Sequence, residues 1–251
     1  MATDVTDSPI GAARSRLWEI DALRGLAILA MVAFHSAWDW AYFHDGALGP
    51  ASRYFSGAIA GSFIMLLGIS ISLDRDRVHA AGDSLVLRTV SRVALIGGAA
   101  CLVTLSTWLV LPDSFVYFGI LHLLTASTLA VALTARLGTT VNALIGAAVF
   151  VIGWSGLLDV PAPEPWLAFL GWDAPRSTVD WYPLAPWAGF AFIGFAVGRV
   201  LYQGRRHRFS LPKWDKQTGG LRVLGRHSLP IYLTHQLILF PLFWALVTVL
   251  P

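Results

Sequence analysis

Four ionisable side chains, Asp21, Arg24, His35 and Asp39, fall within the apolar stretch LWEIDALRGLAILAMVAFHSAWDWAYFHDG that begins at Leu17. Taken as one helix at about 100° per residue, His35 lies roughly 20° past three full turns from Arg24. Asp39 is one turn beyond His35, and Asp21 is one turn before Arg24 at i, i+3 spacing. The four groups therefore share a stripe. The rise from Arg24 to His35 is about 16 Å, which sets Arg24 near one membrane boundary and His35 well inside. Groups at that depth cost about 2.5–3.5 kcal/mol each on insertion scales and normally face a bundle interior or a wet cavity.

The chemistry such a stripe offers is proton transfer. The i, i+4 spacing of His35 and Asp39 lets the carboxylate orient one ring nitrogen and leaves the other to accept a proton. His44 and Asp45 at the end of the same helix form a second pair, or a loop. Each group also has a plainer reading. Arg24 can snorkel to headgroups and pair with Asp21, Asp39 can face water at the interface, and His35 can hydrogen-bond another helix. Elsewhere, His122 in YFGILHLLT reads first as a structural hydrogen bond and otherwise as an acceptor contact. His235 and Gln236 in LGRHSLPIYLTHQ read as interhelical hydrogen bonding or substrate binding. Asp180 in DWYPLAPW is a helix-end cap or a substrate contact.

These residues need helices to hold them. Of the 251 residues, 56% are hydrophobic and only 13% are charged. A soluble domain carries about 25% charged residues, so the composition excludes a water-exposed surface and also intrinsic disorder. A single cysteine, Cys101, excludes a disulfide scaffold. Stretches of about 20 apolar residues, the length needed to cross the hydrocarbon core, predict seven spans near 21–43, 52–73, 91–111, 116–135, 141–158, 183–202 and 228–250. The expected fold is an all-α polytopic helix bundle. Residues 1–15 read as a disordered cytoplasmic tail, 16–251 as one transmembrane domain, and 203–222, with its GRRHR cluster, as a solvated connector. No cleavable signal peptide is evident.

With the N-terminus cytoplasmic, 16 of the 18 Lys and Arg residues fall on inner segments, leaving only Arg53 and Arg176 outside. That split predicts N-in, C-out topology. The net charge of +3 calls for anionic inner-leaflet lipid and no nucleic acid. Trp38, Trp40, Trp108, Trp154, Trp181 and Trp187 sit near predicted outer ends, as membrane anchors do, with Trp166 and Trp172 in the long outer loop 159–181. The histidines lack tight ligand spacing, so no metal is expected. No phosphate-binding or dinucleotide fingerprint occurs. GAIAGS and GWSGLL read as small-residue packing surfaces.

The motif EIDALRGLAILAMVAFH, with DWYPLAPW and LGRHSLPIYLTHQ after it, resembles bacterial membrane proteins of the heparan-α-glucosaminide N-acetyltransferase-like family. These sit within the wider transmembrane acyltransferases, which include the acyltransferase-3 group. The resemblance spans about Arg16 to Phe243. It implies transfer of an acetyl group from cytoplasmic acetyl-CoA to a sugar or glycan hydroxyl or amine on the outer side of a bacterial inner membrane. It implies that Arg24 is the inner-side arginine and His35 the histidine that activates the acceptor. The heparan-type enzymes place a reactive histidine after the first helix, where His44 lies, so the catalytic histidine is His35 or His44. Charge and position add Arg88, Arg92 and Arg226 to Arg24 as ligands for the CoA phosphates. Asp39 is the orienting carboxylate, and Asp180, His122 and His235 are acceptor contacts. A homo-oligomer is possible. A transporter or channel for a small polar or anionic molecule and a non-catalytic scaffold are the alternatives.

Overall fold

The computed structural model of the chain describes residues 17–44, 46–161, 164–172, 178–203, 206–207 and 217–249. Eight α-helices appear among them: α1 Trp18–Phe43, α2 Ala51–Ala81, α3 Leu85–Val110, α4 Ile120–Thr134, α5 Thr139–Trp154, α6 Leu184–Leu201, α7 Gly219–Arg226 and α8 Ser228–Val249. Short 3-10 turns follow α4 (Ala135–Leu137) and precede α6 (Pro165–Leu170), and a two-residue hairpin, Tyr202–Gln203 with Arg206–His207, follows α6. The protein is a polytopic helical membrane bundle. The N-terminal tail and most of the GRRHR connector lie outside the described residues.

Among the described residues six helices are long and apolar enough to cross a membrane, against the seven spans expected. The difference is α5, whose 16 residues extend about 24 Å, short of a hydrocarbon core of about 30 Å. Glycine turns set its length. Gly138 (φ 93°) precedes it and Gly156 (φ 78°) stops it two residues before the expected end. Both are left-handed conformations that suit glycine. In the opposite sense, α2 runs eight residues beyond its apolar segment, through DRDRVHAA.

The chain divides into two compact units where the sequence reads as one domain: Ile64–Leu211, and Arg16–Phe63 with Pro212–Pro251. In the first, Ile64, Leu67 and Ile71 of α2 share a buried cluster with Leu123 and Val131 of α4 and Ala191, Phe192 and Phe195 of α6. Lipid offers little hydrophobic drive between helices, so close packing and hydrogen bonds decide association. Helices α2 and α6 show the former. A Cβ on Gly68 would lie 2.0 Å from the Ala191 carbonyl oxygen, and one on Gly194 would lie 2.2 Å from that of Met65. Asn142 shows the latter. Fully buried, it donates to the carbonyls of Thr134 (2.9 Å) and Gly138 (2.8 Å) and accepts from the Thr134 hydroxyl (2.7 Å). It thereby closes the α4–α5 turn. The polar end of α2 is held by ion pairs from Asp74 to Arg92 and from Asp76 to Arg199.

The second unit brings α1, α7, α8 and the start of α2 together. The connector was expected to be irregular as far as residue 222. It instead becomes helical at Gly219, because α7 packs its backbone against α1. A Cβ on Gly25 would lie 1.9 Å from the Leu221 carbonyl oxygen, and one on Gly225 would lie 1.8 Å from that of Asp21. The glycines of LRGL and LGRH are thus the two sides of one crossing. Of the tryptophans expected at the interface, Trp38, Trp40, Trp108 and Trp154 are 41–66% exposed. Trp181 and Trp187 are half-buried and pack on Tyr117 and on Tyr182 and Phe190.

Candidate active site

The second unit holds the ionisable stripe. Near the start of α1, Asp21 is only 5% exposed and receives two guanidinium groups. Arg24 Nη1 lies 3.4 Å from Oδ1, and Arg226 Nε lies 3.3 Å from Oδ2. One carboxylate therefore holds two arginines, 27% and 38% exposed, side by side. Guanidinium groups of this kind bind phosphate oxygens through charge-assisted hydrogen bonds. The glycine crossing makes this possible, since it brings the α7 backbone onto the α1 turn that carries Asp21.

Further along α1, His35 and Asp39 meet residues of α8. The His35 and His235 rings lie 4.8 Å apart, centroid to centroid. The Gln236 side-chain amide nitrogen sits 3.4 Å from His35 Nδ1 and 3.5 Å from Asp39 Oδ1. Asp39 is fully buried. His35 and Asp39 are not hydrogen-bonded to each other among the described residues. The expected orientation of His35 by Asp39 is therefore indirect, with the Gln236 amide between them. His235 Nδ1 is 2.5 Å from the Tyr232 carbonyl oxygen. Three buried polar atoms here have no hydrogen-bond partner among the described residues: Asp39 Oδ2, Gln236 Oε1 and His235 Nε2. Buried polar groups are normally satisfied, and a site built to receive polar atoms from another molecule is a recognised exception.

His44 stands apart from this cluster. It lies nine residues beyond His35, about 13 Å along the axis, so the two cannot address one reacting atom. It is exposed, stacks on Trp40 at 4.1 Å and donates from Nδ1 to the Trp40 carbonyl oxygen at 2.8 Å. Asp45 lies outside the described residues.

The remaining expected site residues belong to the first unit. The segment around Asp180 is pinned to the approach to α4. The Val179 N–H donates to the Ser114 carbonyl (3.0 Å), the Tyr182 N–H to Phe118 (3.1 Å) and the Thr178 hydroxyl to Phe115 (2.9 Å). Asp180 Oδ2 accepts the Ile120 N–H at 2.9 Å, which makes it a cap on α4 supplied from 60 residues away. A Cβ on Gly119 would lie 2.1 Å from that oxygen. Withdrawal from water pushes the Asp180 carboxyl up to about 6, against the opposing pull of the Ile120 N–H. Burial, and then the Asp180 charge, raise the Tyr182 hydroxyl. His122 has both nitrogens engaged. Nδ1 accepts the Gly119 N–H (3.3 Å), and Nε2 faces the Thr104 hydroxyl (3.2 Å), which itself donates to the Val116 carbonyl (2.9 Å). His122 and Asp180 thus do structural work at the start of α4. Arg88 and Arg92 line a small cleft with Asp74, Thr89 and Thr128, and Arg92 is paired with Asp74. Among the described residues no three His, Cys, Asp or Glu side chains gather as metal ligands.

A helical membrane bundle with a histidine–amide–carboxyl cluster between two of its helices defines an integral membrane protein. The model of the family described as heparan-alpha-glucosaminide N-acetyltransferase, catalytic, matches residues 16–237. The chain belongs to that family and is an acetyltransferase-type membrane enzyme. Neither the curated proteins nor the solved structures contain a match to it.

Proposed function

We propose that the protein transfers an acetyl group from acetyl-CoA to a hydroxyl or amine of a sugar or glycan, using the cluster of His35, Asp39, His235 and Gln236. The carrying observation is the convergence of three unpartnered buried polar atoms between α1 and α8, in stretches of the two helices that are mostly apolar. Acetyltransferases of this family use acetyl-CoA as donor in general. The paired arginines Arg24 and Arg226 suit its phosphates. The thioester supplies the activated acyl group when bound, and the chain supplies proton transfer and a hydrogen bond to the acyl oxygen. With α5 counted as a short seventh crossing, sixteen of the 18 basic residues fall on one side, against nine of 18 with six crossings; that asymmetry is the support for α5 crossing, a cytoplasmic N-terminus, donor entry from the cytoplasm and an acceptor on the outer face.

The test uses the full chain in lipid nanodiscs with acetyl-CoA and glucosamine as the probe acceptor. Acetyl-CoA binding, together with thiol release that requires glucosamine and is lost in His35→Ala, is the expected result. Uptake of glucosamine into proteoliposomes without acetyl-CoA binding would replace the enzyme reading by a transporter one.

A further inference from the structure

The two histidines that face each other between α1 and α8 hold their protons on opposite nitrogens. A backbone carbonyl can only accept, so the 2.5 Å contact between His235 Nδ1 and the Tyr232 oxygen places the proton of a neutral His235 on Nδ1. Nε2 then carries a lone pair, and that atom is buried without a partner. The case of His35 is reversed. The Gln236 NH2 donates to Asp39 Oδ1, an oxygen that accepts when the carboxyl is ionised or carries its proton on Oδ2. The same nitrogen lies 3.4 Å from His35 Nδ1 and 3.5 Å from Asp39 Oδ1, and an amide NH2 has one hydrogen for each. His35 Nδ1 is therefore an acceptor, and the proton of a neutral His35 sits on Nε2.

We infer that His235 is the proton acceptor of the reaction, and that His35, held in its tautomer by Gln236 and through it by Asp39, is a hydrogen-bond donor rather than the base. This rests on the acyl-transfer reading and divides its labour. The acceptor hydroxyl or amine bonds to the acyl carbon and gives its proton to His235 Nε2. The carbon–sulfur bond breaks, and the same proton leaves with the sulfur as the thiol, so His235 ends as it began. His35 Nε2–H points its hydrogen at the acyl oxygen throughout. The rings are 4.8 Å apart, close enough for both to face one small group.

The inference is tested by 15N solid-state NMR of the full chain, histidine-labelled and in lipid bilayers. His35 and His235 signals are identified by their loss in His35→Gln and His235→Gln. The expected result is a proton on Nε2 of His35 and on Nδ1 of His235, with Gln236→Leu erasing the preference at His35 alone. A proton on the same nitrogen in both rings, or the reverse assignment, overturns it. Kinetics with acetyl-CoA and glucosamine give a second reading. His35→Gln keeps an N–H where Nε2–H stood and should retain about a tenth of the activity or more. His235→Gln cannot take a proton and should lose about 10²–10⁴-fold, with partial rescue of His235→Ala by added imidazole. An inactive His35→Gln beside an active His235→Gln would overturn the division of roles. Tautomers as expected, with no thiol release from acetyl-CoA in the wild-type protein, would remove the acyl-transfer reading and leave the tautomer assignment standing.

Discussion

Replacing Gly225 by alanine should disrupt the second unit at the crossing of α1 and α7. The added Cβ would sit 1.8 Å from the Asp21 carbonyl oxygen and 2.8 Å from its carbon, and both atoms belong to the α1 backbone. Contacts under 3.0 Å are not tolerated by real Cβ atoms, so α7 must retreat from α1 by about 1.2 Å. No side-chain rotation can relieve a clash with backbone. The retreat also draws Arg226 Nε, now 3.3 Å from Asp21 Oδ2, out of hydrogen-bonding range. Overpacking costs about 1–3 kcal/mol, with the backbone clash placing this case near the top. The lost partly exposed ion pair adds up to about 1 kcal/mol, and the helix-propensity gain of alanine returns about 1 kcal/mol. The net is a loss of about 2–3 kcal/mol. At roughly 2–4 °C per kcal/mol for a chain of this size, Tm falls by about 4–12 °C. Thermal unfolding in nanodiscs followed by tryptophan fluorescence measures this, with Gly98→Ala as control. Gly98 lies within α3, and a Cβ there meets nothing within 4 Å, so that variant should hold or gain stability. A Gly225→Ala protein with an unchanged or higher Tm would refute the contact between α1 and α7, and with it the pairing of the two arginines.

Other expectations follow from single side chains. Asp180→Asn should flatten the dependence of stability on acidity between about pH 4 and 6. The folded-state value, raised from 3.8 to about 6, means the wild-type carboxyl contributes most below its unfolded value and loses that contribution as pH rises through about 6. Unfolding midpoints across that range, compared with wild type, would show no difference if the carboxyl were freely solvated. Asn142→Ala removes three hydrogen bonds at the α4–α5 turn and should cost about 2 kcal/mol at the roughly 0.6 kcal/mol that such bonds average in membranes, read as a fall in Tm. Arg226→Gln should weaken acetyl-CoA binding by about tenfold, or about 1.4 kcal/mol, in an isothermal titration. An unchanged Kd would remove Arg226 from the donor site.

Much of the helix layout was legible because apolar length is a local signal. The stripe on α1 was legible because its residues share one helix, and periodicity alone places them on one face. What stayed hidden depends on partners far away in the chain. Gly25 and Gly225 look like ordinary helix-weakening residues until the two backbones touch. Asp180 caps a helix 60 residues upstream, which no capping pattern around Asp180 itself could reveal. Gln236 reads as one more interhelical hydrogen bond until its amide is seen between His35 and Asp39. The full engagement of His122 depends on Thr104, contributed by another helix. Helix α7 escapes a reading of the sequence because it is only eight residues long and opens on Gly219 and Gly220, which weigh against a helix.

The pairing of the first helix with the last has a consequence for synthesis. Gln236 and His35 are 201 residues apart, so at about 5–20 residues per second the ribosome needs roughly 10–40 s to make the second after the first. Throughout that interval Asp39 and His35 must wait in the bilayer without the residues that later complement them. Nascent chains halted just before Ser228 should therefore hold α1 in contact with the insertion machinery, detectable by crosslinking from residue 35, and release it once α8 has emerged.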